Sequence, residues 1–317
     1  MENSNKFKKV SAINNIIITS DEFMKAFNGI QDCAKRSMAY EEPIGSMLLA
    51  EGGLGKTTLC KTIESQMPRY EKVEVDYKKT VVPVFYVEVP SQGTVKSLAI
   101  TMLIELGDQT YTSGTVEYLT NRLIYLLKTC ETKLIFLDEF HHFFERKTTT
   151  IRMNRTTGNW IKTLANKTGI SFCLVGLPEF VPLLQVDSQI ARRFPFIYKL
   201  NPLMIEDTDG YGTLYAFLCE FSRKLSEIQI NFSPPLDSPL IGLQIFLATK
   251  GYHSYIVNLV RESINQAIEN GRNTVISDDF NSAWQLGITL FINQINKSPF
   301  EMTFSQVLSA LSKDKND

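Results

Sequence analysis

The chain has 317 residues, 44% hydrophobic and 21% charged, with 33 Lys and Arg against 34 Asp and Glu for a formal net charge of −1. That balance fits a globular protein with one large or two modest domains, excludes a globally basic nucleic-acid binder, and makes any nucleic-acid surface a local one. Cys33, Cys60, Cys130, Cys173 and Cys219 have no CxxC spacing, so they read as reduced core residues of a cytoplasmic protein, with neither a disulfide framework nor a zinc site expected.

No run approaches the ~18 apolar residues of a membrane span, and the polar start Met1-Glu2-Asn3-Ser4 reads as no signal peptide. After an extended lead-in, Asp21 can cap a helix over 22–38 with Phe23, Ala26, Phe27 and Ile30 on one face. The run Ser46-Met47-Leu48-Leu49 predicts a buried strand. It runs into Ala50-Glu51-Gly52-Gly53-Leu54-Gly55-Lys56-Thr57-Thr58, a glycine-rich turn opening a helix over 56–66. Backbone N–H groups of such a turn, with the helix N-terminus, close around phosphate oxygens. Gly52, Gly53, Gly55, Lys56, Thr57 and Thr58 are therefore the candidate nucleotide-binding residues. Lys56 would reach the β/γ-phosphates of ATP, and the Thr57 hydroxyl would ligate Mg²⁺. Ala50 stands where the pattern expects glycine, which is tolerable if that residue needs no positive φ.

A second strand is expected over 81–89, with Pro83 near its start, followed by helices over 94–107 and 115–129. Leu134-Ile135-Phe136-Leu137 is a continuous apolar run, as in a strand buried on both faces of a parallel sheet. It ends in Asp138, a candidate to hold Mg²⁺, and Glu139, a candidate to polarise the water attacking the γ-phosphate. His141 and His142 follow; their i, i+1 spacing does not put them on one helix face, so no metal site is expected there. Between Glu145 and Lys167 basic residues dominate, among them Arg146, Lys147, Arg152 and Arg155, interspersed with threonines. Guanidinium and hydroxyl groups suit phosphate contacts, and a solvated loop and helix face is the alternative.

A helix over 154–167 and a strand over 171–176 come next. Pro178-Glu179 opens a short helix toward Leu184, and Arg192-Arg193 precede a strand over 196–200. Beyond Pro202 only helical periods occur: Leu214, Phe217, Leu218 and Phe221 form one stripe, and Ile256, Leu259, Val260 and Ile264 another. Ser277-Asp278-Asp279 caps a further helix. Alternating strands and helices followed by a helical block predict an α/β fold: a parallel sheet sandwiched by helices over 1–201, a small all-α lid over 202–295, and a C-terminal tail over 296–317.

The order of phosphate loop, Asp138-Glu139 strand, Val175-Gly176-Leu177-Pro178-Glu179, Arg192-Arg193-Phe194 and helical lid resembles an AAA+ P-loop ATPase. In detail it resembles the TniB/TnsC-type regulators of Tn7-like transposition. The matching pieces include Glu88-Val89-Pro90, Lys96-Ser97-Leu98, Phe140-His141-His142 and Trp160-Ile161-Lys162. The resemblance implies an ATPase that binds ATP and Mg²⁺ between protomers and assembles as a ring or helical filament on duplex DNA. It further implies recruitment of a transposase to a site chosen by a TniQ-like or CRISPR-associated target-selection protein, then disassembly on hydrolysis. By the same resemblance Arg192 or Arg193 supplies the arginine finger, and Lys96 and Thr115 track the DNA backbone. Two departures stand out. Gly251 leads to Tyr252-His253-Ser254 without the sensor arginine such lids often carry, and Val175-Gly176-Leu177 lacks the usual polar sensor. Both imply slow intrinsic hydrolysis, as in a switch. A helicase loader and a STAND-type signalling switch are the alternatives; the latter usually appends repeat arrays that 317 residues do not accommodate.

Overall fold

The computed structural model describes residues 13, 16–40, 42–91, 94–108, 114–147, 150–153, 155–180, 188–206, 212–292 and 295–314, the side chains of 144–147, 150–153, 155, 180, 188–190 and 314 excepted. The chain divides into two compact units, Asp21–Leu200 and a second made of Met1–Ser20 with Asn201–Asp317. The α/β unit thus begins at Asp21, whereas the alternation of predicted elements places its start at residue 1.

In the α/β unit, helix α1 (Asp21–Tyr40) leads to β1 (Ser46–Leu49), the glycine turn and α2 (Lys56–Gln66). A hairpin of β2 (Tyr70–Val73) and β3 (Lys78–Val81) precedes β4 (Val84–Glu88), α3 (Val95–Glu105), α4 (Val116–Thr129) and β5 (Leu134–Asp138). A 3₁₀ turn over Phe140–Phe143 then runs into a second hairpin, β6 (Phe144–Lys147) with β7 (Thr150–Met153). Helix α5 (Arg155–Thr168), β8 (Ser171–Gly176), a 3₁₀ turn over Pro178–Phe180, α6 (Ser188–Arg193) and β9 (Phe196–Lys199) complete the unit. The helix expected toward Leu184 falls outside the described residues beyond Phe180.

Five strands form one sheet in the order β4-β5-β8-β1-β9, and every neighbouring pair is parallel. Because side chains alternate along a strand, each strand contributes to two cores. Met47, Leu49, Phe85, Val87, Ile135, Leu137, Phe172 and Leu174 face a core shared with Leu98, Met102, Leu123 and Leu164 of α3, α4 and α5. Helix α1 packs along β1, β8 and β9, and α2 against β4. The interior polar contact between Trp160 Nε1 and Thr120 Oγ1, 2.8 Å, ties α5 to α4. Strands covered on both faces must be apolar throughout, which is why β5 reads as an unbroken hydrophobic run. Since β1 and β5 are parallel with β8 between them, the glycine turn after β1 and the acidic pair after β5 emerge at the same sheet edge. That edge, outside the carboxyl ends of the strands, is where open α/β sheets bind ligands.

The helical unit contains α7 (Thr213–Glu227), α8 (Pro239–Thr249), α9 (His253–Glu269), α10 (Ser277–Gln285) and α11 (Phe304–Asp314). Two three-residue strands, β10 (Asn231–Ser233) and β11 (Thr274–Ile276), pair in parallel within it. The predicted stripes of α7 and α9 meet in one core with Phe280 and Phe300. Helix α11 seats Val307 and Leu311 on Leu243 and Leu247 of α8, so the segment after 296 packs as part of this unit. Among the described residues, no helix is long and apolar enough to cross a membrane.

Candidate nucleotide-binding site

The glycine turn owes its shape to two left-handed residues. Gly53 has φ 78° and Gly55 φ 92°, and Gly55 is the N-cap of α2. A side chain at either position would be strained by its own backbone. Ala50 is not among the described positive-φ residues and is fully buried, so alanine serves where the pattern has glycine. Its N–H donates to Gly176 O at 3.1 Å, fastening the turn to β8. Lys56 is buried beneath the turn, and its Nζ donates to Ala50 O at 2.7 Å and Glu51 O at 3.0 Å. Burial lowers the Lys56 pKa, while the nearby Asp138 and Glu139 carboxylates pull it the other way.

Asp138, only 2% exposed at the end of β5, is the hub of the site. Its Oδ2 accepts from the Thr57 hydroxyl at 3.2 Å and from the Tyr86 hydroxyl at 2.6 Å, and its Oδ1 accepts from the Glu139 N–H at 2.8 Å. A buried carboxylate must find such partners, and here three segments supply them. Tyr86 is not marked as a site residue by motif or spacing. It lies opposite Phe136 across the β4–β5 ladder, and Glu88 lies opposite Asp138. Burial and the Asp138 carboxylate push the Tyr86 phenol far up, so it stays a donor. Its ring also carries Lys61 Nζ 4.0 Å from the centroid. The available signal is a polar-tipped aromatic inside the otherwise apolar run Val84–Val87.

Glu139 adopts φ 55°, a left-handed conformation that is costly for a non-glycine residue. Its carbonyl accepts from the His142 N–H at 3.0 Å, closing the 3₁₀ turn. His141 Nδ1 lies 3.0 Å from Glu139 Oε2, and His142 Nδ1 bonds Val89 O at 2.8 Å. The two imidazoles, expected to diverge, have centroids 4.5 Å apart and rings tilted by 60°. Burial lowers the His141 pKa, against the pull of Glu139.

The arginine pair divides. Arg193 donates to Pro43 O at 2.7 Å and Asn166 Oδ1 at 2.6 Å, so it fastens α6 to the connection between α1 and β1 and to α5. Arg192 is exposed. Lys96 is exposed in the first turn of α3, whose Thr94–Ser97 capping box fixes the helix start. Thr115 is exposed too, and its hydroxyl accepts from the Tyr118 N–H as the N-cap of α4. Arg146, Lys147 and Arg152 sit on the β6–β7 hairpin, and Arg155 opens α5. Gly52 and Thr58 lie in the turn and in the first helical turn after it. In the helical unit, Gly251 has φ 77° and His253 packs edge-on to Phe217 at 5.3 Å.

A parallel five-stranded sheet with a glycine turn after β1, an acidic pair after β5 and a helical C-terminal unit defines the AAA+ class of P-loop NTPase folds. The model of the bacterial TniB protein family matches residues 17–200, more than half of the chain. The chain belongs to the TniB family. Among solved structures it is similar to Cdc6p from Pyrobaculum aerophilum, with TM-score 0.60 and 13% identity over 95% of this chain and 90% of that one. It is also similar to the Aeropyrum pernix ORC1 protein in complex with DNA (TM-score 0.56, 15% identity, 84% of this chain and 64% of that one). The third is the Aeropyrum pernix ORC2 protein in ADPNP–ADP complexes (TM-score 0.57, 14% identity, 83% and 66%). The chain thus spans just under two thirds of the length of both Aeropyrum proteins. At these identities the likeness is one of fold. No curated protein matches the sequence.

Proposed function

We propose that the chain is a Mg²⁺-dependent ATPase switch that oligomerises on target duplex DNA as a ring or filament, links a target-selection protein to a transposase, and comes apart on hydrolysis. The observation that carries the nucleotide half is the Asp138 hub, which draws the Thr57 hydroxyl, the Tyr86 phenol and the Glu139 backbone to the mouth of the glycine turn. Membership of the TniB family supports the transposition half. The solved complex of the similarly folded ORC1 with DNA supports contact with DNA.

In this reading Lys56 exchanges its two loop carbonyls for phosphate oxygens, while the N–H groups of 52–58 surround the phosphates. The Thr57 hydroxyl and the Asp138 carboxylate are hard oxygen donors and fit Mg²⁺, which when bound would neutralise charge on the phosphates. Glu139 orients the attacking water. Arg192 of one protomer reaches the nucleotide of the next, because Arg193 is committed within its own chain. Arg192→Ala should therefore lower DNA-stimulated turnover by at least about 10³-fold with ATP affinity unchanged, whereas Arg193→Ala should act mainly through stability. Measuring both variants in ATPase and melting assays separates the roles; equal turnover losses without a drop in Tm would refute the division.

Lys96 and Thr115, with Arg146, Lys147, Arg152 and Arg155, are the proposed DNA-facing residues. Contacts to the backbone make target binding sequence-neutral and salt-sensitive. Lys96→Ala should weaken binding to unrelated duplexes alike and flatten the salt slope by about one unit. Fluorescence anisotropy across a salt series checks this, and a loss confined to one sequence would contradict it. Co-purification with a Tn7-like transposase, against a replicative helicase as the alternative bait, separates a transposition regulator from a helicase loader.

A further inference from the structure

The turn after β5 gathers three potential metal ligands that the nucleotide reading does not use together. Glu139, His141 and His142 each present a ligand atom, and these atoms all lie within 4.8 Å of one another. The histidines are consecutive in sequence, yet in the turn that follows the left-handed Glu139 their ring centroids lie 4.5 Å apart. The turn is pinned from beneath by Phe140 and Phe143, both buried and packed edge-on with centroids 5.4 Å apart. The ligand set therefore hangs on a backbone that packing already holds.

A second observation concerns His142. A carbonyl oxygen only accepts, so in the 2.8 Å contact with Val89 O the His142 Nδ1–H donates, which leaves Nε2 as the ligand atom. A backbone carbonyl orienting the far nitrogen is the usual outer support of a metal-bound histidine. Tetrahedral coordination at ~2.0–2.1 Å places ligand atoms about 3.4 Å apart. The present spacing closes to that by side-chain rotation, which the partly exposed His141 and Glu139 permit.

We propose that Glu139, His141 and His142 form a site for a divalent transition-metal ion of the zinc class, and that its occupation removes Glu139 from the water at the nucleotide site. Two imidazoles and one carboxylate suit Zn²⁺ or Co²⁺; Mg²⁺, which demands near-octahedral oxygen ligands, competes poorly there. The same carboxylate cannot coordinate this ion and orient the water, so the ion acts as a brake on turnover. That consequence rests on the role given to Glu139 above; the binding site itself does not.

The test uses the full chain without nucleotide, titrated with Co²⁺ and followed by the visible absorption of the protein-bound ion, with Zn²⁺ as competitor. Wild type should show an intense tetrahedral spectrum that Zn²⁺ abolishes. His141→Ala, His142→Ala and Glu139→Gln should each lower the affinity by about tenfold or more, with circular dichroism confirming the fold. Unaltered affinity in the histidine variants, or no protein-bound spectrum in the wild type, overturns the site. Unaltered affinity in Glu139→Gln overturns the capture of the carboxylate, whether or not the chain hydrolyses ATP. Where turnover is measurable, Zn²⁺ should suppress it in the wild type and much less in His142→Ala, each compared with its own zinc-free rate. Equal suppression overturns the brake. A chain that binds Co²⁺ as described but hydrolyses no ATP with DNA refutes the ATPase reading and leaves the metal site standing.

Discussion

Lys56→Ala should lose ATP affinity by roughly 100-fold or more, about 2.8 kcal/mol, and with it nucleotide-dependent assembly on DNA. The lysine ammonium is buried under the turn and held by the carbonyls of Ala50 and Glu51. Its charge-assisted contacts, formed in a site largely shielded from water, are worth more than an exposed ion pair. The turn keeps its shape in the variant because Gly53 and Gly55 set the backbone and the Ala50 N–H still anchors it to β8. The loss should therefore appear in binding, with little change in melting temperature without nucleotide. Calorimetric titration with ATP measures it. Retention of affinity within a few-fold would place the phosphates elsewhere.

Glu139→Gln should leave ATP binding and assembly intact and slow turnover by 10²- to 10⁴-fold, the range typical of a lost general base. Glutamine preserves the side-chain size, and the Glu139 N–H to Asp138 contact belongs to the backbone, so the hub survives. Complexes on DNA should then outlast those of the wild type in ATP. Single-turnover hydrolysis together with complex lifetime reads both halves. Complexes that dissolve at the normal rate would strip Glu139 of its role. The pair of variants is informative because they diverge: one fails before assembly, the other after it.

Much of this site was legible because its parts are local. The glycine turn declares itself through Gly53, Gly55 and Lys56, and the apolar run of β5 through its abrupt end in Asp138-Glu139. The nonlocal part was not legible. Tyr86 joins Asp138 only through the parallel register of β4 and β5, which no single strand encodes. Arg193 reads like Arg192 until the fold brings Pro43 and Asn166 to it. The β2–β3 hairpin went unforeseen because Tyr70–Val73 and Lys78–Val81 are almost wholly out of the core and carry no apolar alternation. The β6–β7 hairpin lay in a basic, threonine-rich stretch that reads as solvated loop. The three-residue strands β10 and β11 are too short for any period to register against the helical stripes around them. The closeness of the His141 and His142 rings, 4.5 Å between centroids, was likewise not legible from their i, i+1 spacing.

The central claim is that occupancy of the nucleotide pocket governs assembly around a double helix. Electron microscopy of the full chain with duplex DNA and a non-hydrolysable ATP analogue tests it most directly. The account predicts rings or filaments enclosing the duplex with the analogue and their absence without it; single protomers in both conditions would contradict it.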